Sequence, residues 1–428
     1  MIKGGTPLSG ELTVAGNKNA ALPILAACLL SEEELLLHRV PRIRDTEAQI
    51  ALLARLGVET EWVGDNSLRL CAGPVTGVAV DEELSSKIRA SFLLAGPLLA
   101  RFGEARMPPP GGDFIGRRRL DAHLDAFEDL GARVSGDRWI ELKAPAGGLQ
   151  ACEIFMDEPS VMGTENALMA AALTPGATRI ANAASEPHVQ DLARLLCKMG
   201  AEVDGIGSNV MTVHGRDKLG GAEHSICPDH IEVASFMALA AATGGELRIR
   251  DTEPADLLMV RRQFRRLGLV SELEGDDVLV PPRQKLAVRS DLGDAIPKIE
   301  DGPWPAFPAD LTSIALALAT QAEGEILIFE KMFENRLFFV DKLVAMGARI
   351  TLCDPHRAIV SGPSRLHGER VESPDIRAGM AILIAALAAD GTTHIGNIRQ
   401  IDRGYEQIDE RLRALGAQIE RVPVDGHP

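Results

Sequence analysis

The segment LDAHLDAFEDLGA, residues 120–132, carries Leu120, Leu124, Phe127 and Leu130 at the i, i+4, i+7, i+10 spacing of an amphipathic helix, and then Gly131. A glycine directly after such a stripe is the usual left-handed helix cap. The ending recurs as RLGV at Gly57, KMGA at Gly200, RLGL at Gly268, AMGA at Gly347 and ALGA at Gly416, giving six copies at intervals of 68 to 79 residues. A second element keeps the same phase: an Ala-rich apolar helix, then Gly and a short strand. It appears as GEARM at Gly103, GATRI at Gly176, GELRI at Gly245, GEILI at Gly324 and GTTHI at Gly391, and without the Gly as EELLLHRV before them. Chance recurrence in an Ala- and Leu-rich chain does not keep two elements in step. Further strands follow each ending, such as VETEWV and LRLCAG around a turn at Asp65 and Asn66. A period of about 70 residues exceeds the roughly 20–50 of helical solenoids. Each copy has the size of a small α/β module, so the expectation is two globular domains of three copies each.

Composition narrows the function. The 428 residues hold 45 Lys plus Arg against 61 Asp plus Glu, a formal charge of −16, and a single Tyr. An acidic, aromatic-poor chain argues against a nucleic-acid binder, which needs a basic face and stacking rings. Apolar runs reach about 11 residues, as in 20–30, short of the roughly 18 that suggest a membrane span. The opening MIKGGTPLSG has no secretory pattern, and six scattered Cys without a CxxC pair read as reduced, mostly buried thiols. A cytoplasmic protein with no nucleic-acid or membrane partner is expected. His123, His188 and His230 have no metal-ligand spacing and read as surface or loop residues.

The polar residues also follow the repeat. Segments entering the Ala-rich helices carry Lys18 with Asn19, Arg89, Ser160, Asp229 with Glu232, Asp310, and Asp375 with Arg377. Those after the Gly-strand carry Asp45, Asp113 with Arg118, Glu186, Glu253, Arg336 and Arg403. Many of these positions fall at helix N-termini, where free N–H groups and the helix dipole favour an anion. Lys18, Arg89, Arg118, Arg336, Arg377 and Arg403 would then gather in an acidic protein as a local cationic site for an anionic small molecule. Asp113, Asp310 and Asp375 are candidate proton acceptors, and spacing does not rank them.

GNKNAALPIL (16–25), RASFLLAGPLLARFG (89–103), PGGDFIGRRRLDAHL (110–124), SVMGTENALMAA (160–171), PDHIEVASF (228–236), FPADL (307–311), FENR (333–336), PDIRA (374–378) and IDRGYE (401–406) together resemble the UDP-N-acetylglucosamine enolpyruvyl transferases of the enolpyruvyl transferase superfamily. The resemblance spans essentially the whole chain. It implies an α/β (α+β) fold of two inverse α/β barrel-like domains, each of three repeats, joined by a double crossover, with residues 21–229 as one domain and 1–20 plus 230–428 as the other. It implies transfer of the enolpyruvyl group of phosphoenolpyruvate to the 3-hydroxyl of UDP-N-acetylglucosamine with release of phosphate. That is the first committed step of peptidoglycan precursor synthesis, serving cell-wall biogenesis, cell shape and division. No metal or organic cofactor is implied, and the sequence assigns no oligomeric state.

Carried over by motif, Lys18, Arg118 and Arg403 match the phosphoenolpyruvate ligands, with Arg89 on the phosphate or diphosphate side. Arg336 and Arg377 match arginines that close onto the site. Asn19, Leu120, Asp121, Ser160 and Val161 match sugar-nucleotide contacts, Asp310 the carboxylate near the 3-hydroxyl, and Asp375 an acidic residue that orients or shares protons. The catalytic set is therefore Asp113, Asp310, Lys18 and Arg403, with Asp310 taking the hydroxyl proton and Asp113 protonating C3. The family usually has Cys where this chain has Asp113, so resistance to fosfomycin, which alkylates that Cys, is expected. Arg118, Arg119, Leu120, Asp121 replaces the usual Arg-Pro-Val-Asp; losing Pro frees the loop and Arg119 adds a donor. Two alternatives stay open: another acceptor, such as shikimate 3-phosphate or another nucleotide, or a weakly catalytic sugar-nucleotide-binding paralogue.

Overall fold

The computed structural model describes residues 1–423. The chain divides into two compact units: an inserted unit of residues 16–113 and 118–227, and a flanking unit of residues 1–15, 114–117 and 228 onward. Among the described residues each unit contains three sheets. Glu34–His38, Glu104–Met107, Gly176–Ala181, Glu246–Arg250, Gly324–Phe329 and Thr392–Gly396 are the strands that the repeat predicts after the Ala-rich helices.

One pairing plan is reused. Glu153–Phe155 runs parallel to Gly176–Ala181, which pairs antiparallel with Val210–Gly215, and that strand in turn with Glu202–Asp204. Lys298–Glu300, Gly324–Phe329, Arg357–Gly362 and Ile350–Asp354 repeat the same order. In the second copy the parallel partner shrinks to a single bridge between Ala79 and Arg106. Three sheets draw a strand from far along the chain. Glu34–His38 takes Ala222–Ser225, and Glu246–Arg250 takes Ser9–Thr13. Thr392–Gly396 takes Ile2–Lys3, which lies inside its sheet with Gln418–Ile419 on the other side. No sheet closes on itself among the described residues.

Inside the inserted unit, Lys18–Ala27, Arg89–Leu94 continuing into Ala95–Phe102, and Val161–Ala172 pack against one another. His230–Thr243, Thr312–Ala319 and Ile376–Ala388 do the same in the flanking unit. These helices are apolar on nearly every side, which is the pattern of a helix buried all round, and their Ala residues combine high helix propensity with little bulk. Arg44–Leu56, Asp121–Asp129, Pro187–Lys198, Leu258–Phe264, Val340–Ala345 and Ile408–Ala414 are the amphipathic set. All six recurrent glycines, Gly57, Gly131, Gly200, Gly268, Gly347 and Gly416, have positive φ, so the recurring ending is a backbone requirement.

Phe127 from the opening segment is fully buried. Phe127→Ala should lower unfolding stability by about 3–5 kcal/mol, since it deletes a ring and leaves a cavity; chemical denaturation of the whole chain measures this. The six cysteines are free thiols, but they are less buried than expected: Cys28 alone is buried, Cys353 is exposed and the others are half-buried. Several lie on short two-sided strands or at element ends, where one face meets solvent. No described helix is long and apolar enough to cross a membrane.

Candidate active site

In the flanking unit, FPADL folds as a tight turn, Ala309–Leu311, ahead of helix Thr312–Ala319. Ala309 and Leu311 face the core, leaving the intervening Asp310 side chain 26% exposed. Two buried guanidiniums converge on it. Arg336 donates from Nη2 to Oδ1 at 2.9 Å, and Arg377 donates from Nε and Nη2 to Oδ2 at 3.1 and 2.9 Å. Arg377 occupies the first turn of Ile376–Ala388, where the N-cap Asp375 accepts the backbone N–H groups of Arg377 and Ala378 at 2.9 and 3.0 Å. The cap fixes the point from which the Arg377 side chain departs. Its Nη1 lies 3.4 Å from the Tyr405 hydroxyl, which bonds Ser235 Oγ at 2.9 Å. Burial works against the Arg377 charge, but Asp310, Tyr405 and Asp229 outweigh it and its pKa moves up. Arg403 ends the turn Ile398–Arg403 and donates to Gln400 Oε1 at 2.9 Å.

The inserted unit holds the other cations. Lys18 opens helix Lys18–Ala27 after the N-cap Asn17, whose side chain accepts the Ala20 N–H, and Asn19 follows in the same turn. Lys18 Nζ is paired with Asp45 Oδ2 at 2.9 Å, both side chains being almost wholly buried. Arg89 opens Arg89–Leu94 and donates from Nη2 to the carbonyls of Arg118 and Arg119 at 2.5 and 3.1 Å. Burial, then the like charge of Arg118, lowers the Arg89 pKa to about 10. A cation destabilised in both ways gains from an anion beside it.

Gly112, next to Asp113, lies against this arginine pair: at φ +111 an added Cβ would come within 2.9 Å of Arg89 Cβ and 3.5 Å of Arg118 Nη1. Asp113 is half-buried. Residues 114–117 group with the flanking unit, where Asn335 N–H donates to the Ile115 carbonyl at 3.0 Å and Arg117 N–H to Glu334 Oε2 at 3.2 Å.

The remaining candidates sit at helix starts in the inserted unit. Leu120 is the N-cap position and Asp121 the first residue of Asp121–Asp129; Ser160 caps Val161–Ala172 by accepting the Gly163 N–H at 3.2 Å, and Val161 is its first residue. Arg119, the residue standing in place of Pro, pairs with Asp157 at 2.6 Å and Glu158 at 3.6 Å, so its added charge is taken up beside it.

Asp310, Arg336 and Arg377 are thus in direct contact, as are Arg89 and Arg118, while Lys18 meets Asp45 and Asp375 serves a helix start. Asp45 and Asp229 were visible by their place in the repeat. Tyr405 was hinted at as the single tyrosine within IDRGYE. Glu330, whose Oε2 lies 3.7 Å from Arg336 Nε, follows an apolar strand and gave no signal. The histidine expectation is overturned: His123, His188 and His230 are 2, 6 and 3% exposed. His123 lies edge-on to Phe92 at 5.1 Å and bonds Asn166 Nδ2 through Nδ1 at 2.9 Å. Burial, with Arg89 nearby, lowers its pKa to about 3, so it stays neutral. An aromatic ring can fill an apolar site while its polar atoms find internal partners, a role that spacing does not reveal.

Residues 2–412 match the family of EPSP synthase (3-phosphoshikimate 1-carboxyvinyltransferase). The chain is 56% identical to the UDP-N-acetylglucosamine 1-carboxyvinyltransferase of Bradyrhizobium diazoefficiens, over 99% of this chain and 98% of that protein. It is 54% identical to the enzyme of the same name from Treponema denticola, over 98% of each. Among solved structures, the enolpyruvyl transferase NikO from Streptomyces tendae superposes with a TM-score of 0.86 at 25% identity, covering 97% of both chains. EPSP synthase from Acinetobacter baumannii shares the fold with a TM-score of 0.73 at 18% identity, again over 97% of both.

Proposed function

The chain belongs to the EPSP synthase family, and on that premise we propose that it transfers the enolpyruvyl group of phosphoenolpyruvate to the 3-hydroxyl of UDP-N-acetylglucosamine, releasing phosphate. Near-full-length relatives at 54–56% identity carry that activity in their names and favour this acceptor. The reaction begins peptidoglycan precursor synthesis, and the enzyme would work in the cytoplasm on small-molecule substrates.

The observation that carries the chemistry is Asp310 held by Arg336 and Arg377. In this reading C3 of phosphoenolpyruvate takes a proton from Asp113, C2 becomes oxocarbenium-like, and the sugar 3-hydroxyl attacks C2 while its proton passes to Asp310. The tetrahedral adduct then loses phosphate, and the C3 proton returns to the Asp113 carboxylate, giving the enol ether. Lys18, Arg89, Arg118 and Arg403 offset phosphate and carboxylate charge, and Arg336 and Arg377 add to that clamp. Asn19, Leu120, Asp121, Ser160 and Val161 orient the sugar nucleotide, and Asp375 keeps Arg377 in place through its cap.

Phosphate release from phosphoenolpyruvate separates the acceptors. Release with UDP-N-acetylglucosamine and none with shikimate 3-phosphate is the expected result. Release only with shikimate 3-phosphate would move the reading to that acceptor, and release with neither, while UDP-N-acetylglucosamine still binds, would leave another acceptor or a weakly catalytic sugar-nucleotide-binding paralogue.

A further inference from the structure

Behind Asp310 the flanking unit buries a second carboxylate that the proposed chemistry does not use. Glu330 directly follows strand Gly324–Phe329, and its side chain has no solvent exposure. Its position is closely fixed. Its backbone N–H donates to the His356 carbonyl at 2.8 Å, its own carbonyl bonds His356 Nδ1 at 2.7 Å, and Oε1 accepts the Phe333 N–H at 3.1 Å. Oε2 faces Arg336 Nε at 3.7 Å, and among the described residues neither atom has a hydrogen-bond partner. The same guanidinium gives Nη2 to Asp310 Oδ1 at 2.9 Å. Arg336 therefore stands between an inner carboxylate just beyond bonding distance and an outer one that it already bonds. An apolar or amide side chain would serve the core better than a buried acid with an unsatisfied oxygen.

We propose that Glu330 is a positioning residue for the transfer: its ionised carboxylate draws Arg336 inward and loosens its hold on Asp310, so Glu330 governs how strongly Asp310 attracts the acceptor's hydroxyl proton. The inference rests on Asp310 being the proton acceptor. The charged and titratable groups facing Glu330 are Arg336 from the FENR turn, Asp301 after strand Lys298–Glu300, His356 between Ile350–Asp354 and Arg357–Gly362 acting on its backbone, and Asp310 through Arg336. Thr312, at the start of Thr312–Ala319, also approaches. Burial pushes the Glu330 carboxyl up to about 8; Arg336 pulls the other way and Asp301 adds to the rise. Its charge therefore changes within the range in which the enzyme can be assayed. Neutral Glu330 leaves Arg336 fully on Asp310, and ionised Glu330 makes Asp310 the stronger base, so turnover should rise through that pH.

The test is kcat and KM by phosphate release between pH 6 and 9.5 for the intact wild-type chain, Glu330→Gln and Glu330→Asp. The wild type should show a several-fold rise in kcat centred near pH 8. Glu330→Gln should lack the rise and remain at the lower plateau, and Glu330→Asp should keep it with a displaced midpoint, with both KM values within about twofold. A purely structural role would alter activity without removing the step. A second readout needs no turnover. Because folding raises this carboxyl's pKa from 4.5, its contribution to stability is greatest below that value and is lost as pH rises towards 8. The melting temperature should accordingly fall more between pH 5 and 8 in the wild type than in Glu330→Gln. An unchanged kcat step in Glu330→Gln overturns this inference alone, whereas a wild type that releases no phosphate overturns the functional reading and the role of Glu330 with it.

Discussion

Asp310→Asn should lower phosphate release by about 10²–10⁴-fold, the usual contribution of a positioned proton acceptor, while UDP-N-acetylglucosamine still binds. Asn keeps the size of the side chain and one acceptor oxygen, so Arg336 or Arg377 retains a partner. What disappears is the negative charge and the capacity to take a proton. Stability should fall as well, but by less than the roughly 3–5 kcal/mol seen when a fully buried pair loses one partner, because the Asp310 side chain is 26% exposed. Calorimetric binding of the sugar nucleotide separates the two effects: retained affinity with lost turnover supports proton transfer by Asp310. Turnover within tenfold of the wild type would remove Asp310 from that role.

Fosfomycin should leave the wild-type chain active after prolonged incubation, and Asp113→Cys should convert it into an enzyme that loses activity progressively with one covalent adduct per chain. Opening an epoxide calls for a soft, strong nucleophile; a thiolate qualifies and a carboxylate does so poorly. The setting favours the substituted thiolate. Gly112 lies against the Arg89 backbone and Cβ and against Arg118 Nη1, so a thiol at the next position would be near the Arg118 guanidinium, and such surroundings lower a thiol's pKa and raise its reactivity. Mass mapping of the peptide containing residue 113 distinguishes this site from Cys71, Cys152, Cys197, Cys227 and Cys353, none of which is fully buried. Time-dependent inactivation of the wild type with an adduct at Asp113 would overturn the prediction.

Much of the architecture was legible because it repeats. Gly57, Gly131 and their four counterparts mark a backbone conformation that other residues adopt at a cost, so the signal survives divergence of the surrounding sequence. The Ala-rich helices were legible because burial on every side leaves no polar face. The exchange of strands was hidden. Nothing in IK at residues 2–3 says that two residues lie inside a sheet with Thr392–Gly396, since pairing partners in sequence-distant strands leave no periodic trace. At the site, charged residues in phase with the repeat pointed to Asp310, Arg336 and Arg377, whereas the ion pairs that orient them depend on side-chain direction. Lys18 with Asp45 and Arg336 with Glu330 are examples. The buried histidines were misread because composition treats imidazole as polar, while the fold uses His123 as a ring against Phe92.

The placement of Ile2–Lys3 and Ser9–Thr13 imposes an order on synthesis. These strands leave the ribosome ahead of the inserted unit, whereas their partners Thr392–Gly396 and Glu246–Arg250 follow it. The inserted unit is complete once Ala222–Ser225 has emerged to pair with Glu34–His38, so it can fold while the leading residues remain without partners. Nascent chains stalled near residue 260 should therefore contain a protease-resistant inserted unit behind a cleavable leader. A chain released early would expose unpaired strand edges, the feature that most readily draws incomplete proteins into aggregates.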